Sequence, residues 1–314
     1  MGIPEHLITL LHSLYDNQTA TVRIEFGNTE QFRIGKGVRQ GCILSPTLLN
    51  LYTEKIMRDA DLDNIAIGVR NGGRTINNLR YADDTTLAAE SEAGLRTLLE
   101  KVNIMGERAG LFLNMKKTKV MSNTKMATFS FNNENIEVVD HFSFLGAVLE
   151  AEGSCKMELT RRLALGRAAM TGLSKIWKDR DLTVVVKCRL VKALVFPVAS
   201  YGCEAWTLNK AQRAKINAFE MWCWRRLLRI PWTARRTNAS IMEEIGVAAV
   251  LQVKTLRQKL SYFGHVIRSE GLESSLMLGM GEGKRGVGRP RGRWIDELRE
   301  ATGLSLQHKR IMGK

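Results

Sequence analysis

The sequence predicts an α+β fold, and three observations point to it. Short β-like runs alternate with amphipathic helical stretches through residues 1–153, and beyond residue 154 the pattern is nearly all helical. The charge changes at the same place. Residues 1–153 carry 16 basic and 19 acidic side chains, whereas residues 154–314 carry 31 and 13, so the second half alone holds the basic excess. A chain of 314 residues with 44% hydrophobic and 25% charged side chains is neither a disordered tail nor a fibrous repeat. Its net charge of +15 points to a polyanionic partner. No apolar run approaches the roughly 20 residues of a membrane span, and Met1–Leu11 lacks the basic start and small-residue cleavage site of a signal peptide. Cys42, Cys155, Cys188, Cys203 and Cys223 form no CxxC pair and read as reduced, mostly buried thiols of an intracellular protein.

In chain order, Thr21–Phe26 and Gln31–Ile34 read as strands joined by a turn at Gly27-Asn28. Ser45-Pro46 opens a helix, with Ser as N-cap, Pro at the first position and Leu48, Leu49, Tyr52 and Ile56 at helical spacing. Asn71-Gly72-Gly73 signals another hairpin, and Tyr81-Ala82-Asp83-Asp84 lies between the runs Thr75–Arg80 and Thr85–Ala89. Leu95, Leu98, Leu99 and Val102 outline a helix, followed by short strands near Lys119–Met121, Phe129–Phe131 and Phe142–Leu149. In the basic half, Ile216, Phe219, Cys223, Trp224, Leu227 and Leu228 form one helix face, with Trp222, Arg225, Arg226 and Arg229 opposite. Lys284–Arg293 is a flexible basic segment, after which Trp294, Ile295 and Leu298 begin a short terminal helix.

Chemistry concentrates at the Asp83-Asp84 turn. Adjacent carboxylates repel each other unless the turn is solvated or a cation sits there. Mg²⁺ takes a few carboxylate oxygens together with substrate phosphates, and phosphoryl transfer uses such ions to stabilise the attacking and leaving oxygens. On the tetrapeptide alone a solvated turn is the commoner reading. Gly37–Pro46 is a glycine-rich approach to a helix N-terminus with Arg39 and Gln40 as donors, suited to phosphate or equally to a plain capped helix. Lys117 is either a point charge near a phosphate or a surface lysine. Three arginines around Trp222 suit a phosphate backbone with a base against the ring, balanced against a solvated basic face. Arg289, Arg291 and Arg293 read as a general polyanion anchor rather than a minor-groove hook, so replacing them by Ala should weaken binding to all duplexes about equally.

Taken in order, the Arg39-Gln40-Gly41 to Ser45-Pro46 block, the Tyr81-Ala82-Asp83-Asp84 turn, the Gly110-Leu111 to Asn114-Met115-Lys116-Lys117-Thr118 block and Phe142-Ser143-Phe144-Leu145-Gly146 resemble the palm of reverse transcriptases of non-LTR (LINE-type) retrotransposons. The resemblance extends to Met1–Tyr15, and through Tyr201–Trp206 to Gly288–Trp294. It implies a partial polymerase palm over 1–153, an α-helical thumb over 154–232 and a basic helical C-terminal region over 233–314. The activity implied is RNA-directed DNA polymerisation, with Asp83 and Asp84 as catalytic carboxylates holding Mg²⁺ and Lys117 as a general acid for pyrophosphate. Tyr81 and Ala82 would lie beside the primer end, Arg39, Gln40, Gly41 and Ser45 would line the nucleotide and template pocket, and Phe144, Leu145 and Gly146 would form the primer grip. The implied partners are an RNA template, a DNA primer or RNA–DNA hybrid, and deoxynucleoside triphosphates, with no membrane, in the nucleus if the element is active. Family members carry another metal-binding Asp on a strand before the Met1–Tyr15 helix. None stands there here, so the two-metal site is expected to be incomplete and this N-terminally truncated chain inactive alone, the alternative being a non-catalytic nucleic-acid-binding remnant.

Overall fold

The computed structural model describes residues 2–71, 73–246, 250–269, 271–278 and 292–303. The α+β expectation is borne out: helices dominate and the strands form small, mostly antiparallel pairs. The chain divides into two units, Met1–Gly68 with Asn77–Phe112, and Val69–Ile76 with Leu113–Lys314.

The first unit opens with α1 (Glu5–Tyr15), followed by β1 (Thr19–Ala20), β2 (Arg23–Ile24), β3 (Gly27–Asn28) and β4 (Phe32–Arg33). The expected turn is displaced: Ile24 pairs with Gly27, so Glu25 and Phe26 turn the chain and Gly27-Asn28 begins the return strand. Gly27 has φ +135°, so the glycine serves the position just after the turn, where a side chain would be strained. α2 (Ser45–Asp59) starts at the predicted residue with Pro46 in its first turn, but Ser45 does not cap it. Its hydroxyl instead donates to the Arg39 carbonyl at 2.6 Å. The chain passes to the second unit for the hairpin β5 (Val69–Asn71) and β6 (Arg74–Ile76), then returns for β7 (Asn78–Tyr81), β8 (Asp84–Leu87) and α3 (Glu92–Arg108). Ser91 caps α3 by accepting the Gly94 N–H at 3.1 Å. Met57, Ala60, Leu62 and Leu98 form the buried centre, closed by Leu87, Val102 and Met105, so packing of α2 and α3 fixes β8. α1 buries no residue, and Leu7, Ile8, Leu10 and Leu14 are exposed.

The second unit continues with β9 (Lys119–Val120), β10 (Phe129–Phe131), β11 (Glu134–Val138), β12 (His141–Phe144) and β13 (Ala147–Glu150). β10, β11 and β9 form one sheet, and β12 and β13 a separate hairpin. The helices follow: α4 (Lys156–Gly172), α5 (Ser174–Lys178), α6 (Val184–Leu190), a π-helical turn over Val191–Val195, α7 (Phe196–Ala199), α8 (Lys210–Leu227), α9 (Asn238–Ile245), α10 (Val250–Arg268), α11 (Leu272–Leu278) and α12 (Trp294–Thr302). The predicted apolar face of α8 is the core of this unit. Ile216, Phe219, Cys223, Trp224 and Leu227 are buried with Leu159, Leu163, Met170, Val195 and Phe196. α4 approaches closely at Gly166, where a Cβ would meet Phe219 Cζ at 2.7 Å. The terminal helix expected from Trp294, Ile295 and Leu298 is α12: Ile295 and Leu298 are buried with Phe263, and Trp294 Nε1 donates to the Glu204 carbonyl at 2.6 Å. Fully buried Lys259 pairs with Glu297 beneath it. Cys188, Cys203 and Cys223 are buried free thiols, and burial pushes Cys203 and Cys223 up to about 12. Among the described residues no helix is long and apolar enough to cross a membrane.

Candidate active site

β7 and β8 pair in register from Asn78 with Leu87 to Tyr81 with Asp84, so Ala82 and Asp83 alone make the turn. Ala82 takes φ +52°, the left-handed conformation that two-residue hairpins use to match strand twist. Tyr81, Asp83 and Asp84 are exposed at this tip. The hairpin is tied to α2 by Arg80, which donates to Glu54 at 2.7 Å, and hydrogen bonds from Arg58 and the charge of Arg80 hold the Glu54 carboxyl below its ordinary range.

Ser45 stands at the start of the same helix, on a turn built from the predicted pocket residues. Arg39 donates to Gln18 at 3.2 Å, the Cys42 N–H bonds the Arg39 carbonyl at 3.3 Å, and Gly41 takes φ +83°. Gln40 is exposed beside them. The Leu44 N–H, helped by Ser45 and the Arg39 charge, holds the Cys42 thiol below its ordinary range. That neighbourhood favours negative charge.

Asp83 and Asp84 supply hard oxygen donors suited to a divalent cation, but they are only part of a donor set. No group of three or more His, Cys, Asp or Glu gathers there or elsewhere among the described residues. Lys117 and the predicted grip belong to the second unit. Lys117 is exposed on a turn in which its own N–H bonds Asn114.

Phe144 ends β12, and Leu145 and Gly146 make the two-residue turn into β13. Sequence reasoning missed what surrounds it. Buried Glu158 of α4 accepts Arg161 Nε at 2.8 Å, Arg162 Nε at 2.6 Å and the Val148 N–H at 2.9 Å. Burial alone would raise this carboxyl, but the hydrogen bonds from Arg161, Arg162 and Val148 outweigh it and hold Glu158 below the ordinary range. A depressed folded-state pKa contributes stability that is present above the ordinary value and lost as pH falls through the folded one. Exchange protection of the Val148 amide should therefore drop as the pH falls below the ordinary carboxylate range, and Glu158→Gln should remove that dependence. Unchanged protection below that range in the natural chain would contradict the assignment.

The predicted arginine cluster on α8 divides. Arg225 donates to the Arg236 carbonyl at 2.8 Å and Asn238 at 2.9 Å, while Arg229 donates to the Trp177 carbonyl at 3.2 and 3.1 Å, near the end of α5. Cations at a helix C-terminus satisfy its orphan carbonyls. Arg226 stays exposed, 5.5 Å from the Trp222 ring, and Arg167 of α4 lies 6.0 Å from the same ring. The cationic-aromatic patch is thus Arg167, Trp222 and Arg226, across two helices. Arg293 is exposed just before α12, and Arg289 and Arg291 lie outside the described residues.

Residues 1–149 match the family described as reverse transcriptase (RNA-dependent DNA polymerase). A transposon-derived protein of Caenorhabditis elegans is 32% identical over 247 residues, covering 74% of this chain and 87% of that protein. A retrovirus-related Pol polyprotein from a type-2 retrotransposable element of Drosophila melanogaster is 31% identical over 116 residues, 37% of this chain and 11% of the polyprotein. The RNA-directed DNA polymerase from the mobile element jockey of the same fly is 22% identical over 249 residues, 74% of this chain and 26% of that protein.

Proposed function

This chain belongs to the reverse transcriptase family of non-LTR retrotransposons, and from that footing we propose that it supplies the carboxylate turn, nucleotide-facing turn, primer grip and helical thumb of an RNA-directed DNA polymerase. It spans a small part of the fly proteins it resembles, so the polymerase activity of a whole element is part of the proposal. The observation that carries the reading is the exposed Asp83-Asp84 tip, built on a hairpin tied through Arg80 and Glu54 to the helix that begins at Ser45. A carboxylate pair and a turn that favours negative charge suit a nucleoside triphosphate and its metal ions from two sides of the chemistry.

Reverse transcriptases use divalent metal, and we assign Mg²⁺ to Asp83 and Asp84. Arg39, Gln40, Gly41 and Ser45 would line the nucleotide pocket, with Tyr81 and Ala82 beside the primer end. Lys117 would serve as general acid. The domain reading is a partial palm over 1–153, a thumb over 154–232 and a basic region over 233–314, acting in the nucleus on RNA template and DNA primer. Trp222 and Arg226, joined by Arg167, would meet a base and phosphate, with Arg225, Arg229 and the 284–293 segment adding charge.

Binding tests the thumb part of this reading. Anisotropy titration of the full chain with an RNA–DNA hybrid should show affinity falling about 10³-fold or more between 50 and 200 mM salt, as expected when six or more phosphates are neutralised. Binding that ignores salt would remove the thumb and tail from the nucleic-acid path.

A further inference from the structure

The β12–β13 turn is held in a conformation its own residues do not favour. Leu145 and Gly146 have φ of +48° and +75°. Hairpins of this size want that pair, but Asn-Gly is the sequence that adopts it freely, and a leucine there is strained. Such strain persists only where the surroundings over-determine it. Both turn carbonyls are taken by side chains from other elements. Tyr201 Oη donates to the Leu145 carbonyl at 3.0 Å, and Arg161 Nη2 donates to the Gly146 carbonyl at 2.7 Å. Arg162 Nη2 donates to that same carbonyl, and its guanidinium lies 4.2 Å from the Tyr201 ring. Glu158 holds both arginines from below. All three donors act on the backbone shape, and the Leu145 side chain itself remains 43% exposed at the tip.

We propose that Arg161, Arg162 and Tyr201 are positioning residues that lock this turn so that Leu145 seats the end of a primer strand. The inference rests on reading Phe144–Gly146 as the primer grip. Both arginines are committed to Glu158 and Gly146, so their role is to aim the tip, while general affinity for duplex comes from other cations. Losing one donor lets the turn relax. Selectivity for a primer end then falls, and affinity for duplex as such does not.

The test titrates the full 314-residue chain with an RNA–DNA hybrid carrying a recessed DNA 3′ end, and with the same hybrid blunt-ended, taking the ratio of the two Kd values. The natural chain prefers the recessed end. Tyr201→Phe keeps the ring and removes one hydroxyl from a half-exposed residue, and Arg162→Lys keeps the charge and loses the fork. Each should lower the preference about fivefold, the loss of roughly one hydrogen bond, with the blunt-ended Kd nearly unchanged. Full preference in both variants overturns the proposal. Equal weakening for both hybrids overturns it too, since that marks ordinary phosphate contacts or general destabilisation. A natural chain with no end preference sinks the primer-grip reading itself, a result distinct from either.

Discussion

Asp83→Asn removes divalent-metal-dependent primer extension, by more than about 10²-fold, when this chain is joined to an upstream segment of a related element that carries a further carboxylate. Asp83 is exposed and is the second of two turn residues. Asn is at home in such turns, so the substitution leaves the hairpin intact and changes only charge and ligand strength. Removing one of two adjacent like charges also relieves repulsion, so the variant should melt no lower than the natural chain. A divalent cation bound at this turn would supply positive charge to the oxygens of the reacting phosphate, and its placement depends on how many charged oxygens fix it. Asp83 and Asp84 provide two carboxylates, and among the described residues no cluster of three acidic, His or Cys side chains completes them. The 314-residue chain alone should therefore extend primers no faster than background. Robust extension by that chain, lost on Asp83→Asn, would place the remaining ligand within it; extension by the joined protein that survives Asp83→Asn would take Asp83 out of the site.

What could be read from the sequence was whatever local periodicity and turn chemistry determine. Tyr81-Ala82-Asp83-Asp84 was legible as a hairpin tip because β-like runs flank it on both sides, and the pairing of Tyr81 with Asp84 then narrows the turn itself to two residues. α8 was legible because Ile216, Phe219, Cys223 and Trp224 repeat at helical spacing, even though buried Glu220 stands among them. Register was not legible: at Gly27-Asn28 glycine marks a turn nearby without saying on which side of it the glycine falls. β11 was missed although Asn132 and Asn133, both at positive φ, mark the turn before it, because Glu134 shares its inward face and leaves only Ile136 and Val138 to show the alternation. The cations were hardest. Glu158, Arg161 and Arg162 look like solvated pairs at helical spacing, and only the folded chain brings the Gly146 carbonyl onto them. Arg225 and Arg229 looked free for phosphate for the same reason, since their carbonyl partners at Arg236 and Trp177 lie on other elements. Lys259 reads as a polar position on an amphipathic helix and is fully buried because Glu297 and Trp294 cover it.

Glu220→Ala should destabilise the second unit by about 3 kcal/mol or more, a large share of the ~5–15 kcal/mol that holds a typical domain. Glu220 is 1% exposed, and its carboxylate accepts the Val250 N–H at 2.8 Å, the Leu251 N–H at 2.9 Å and Trp224 Nε1 at 3.2 Å. The first amides of α10 have no carbonyl partners within their own helix, and a carboxylate both satisfies them and complements the positive end of the helix dipole. Alanine leaves three buried donors unpaired and opens a cavity beside Phe219 and Trp224. Glutamine keeps one acceptor oxygen but turns an NH₂ toward a donor, so Glu220→Gln should fall between the two in urea denaturation followed by tryptophan fluorescence. The loss should also travel along the helix. α10 carries Lys259 and Phe263, which hold α12 through Glu297, Ile295 and Leu298. Uncapping its N-terminus should raise hydrogen exchange in α12 before the unit unfolds, and α12 amides as protected in Glu220→Ala as in the natural chain would show that α10 docks that helix without help from its cap.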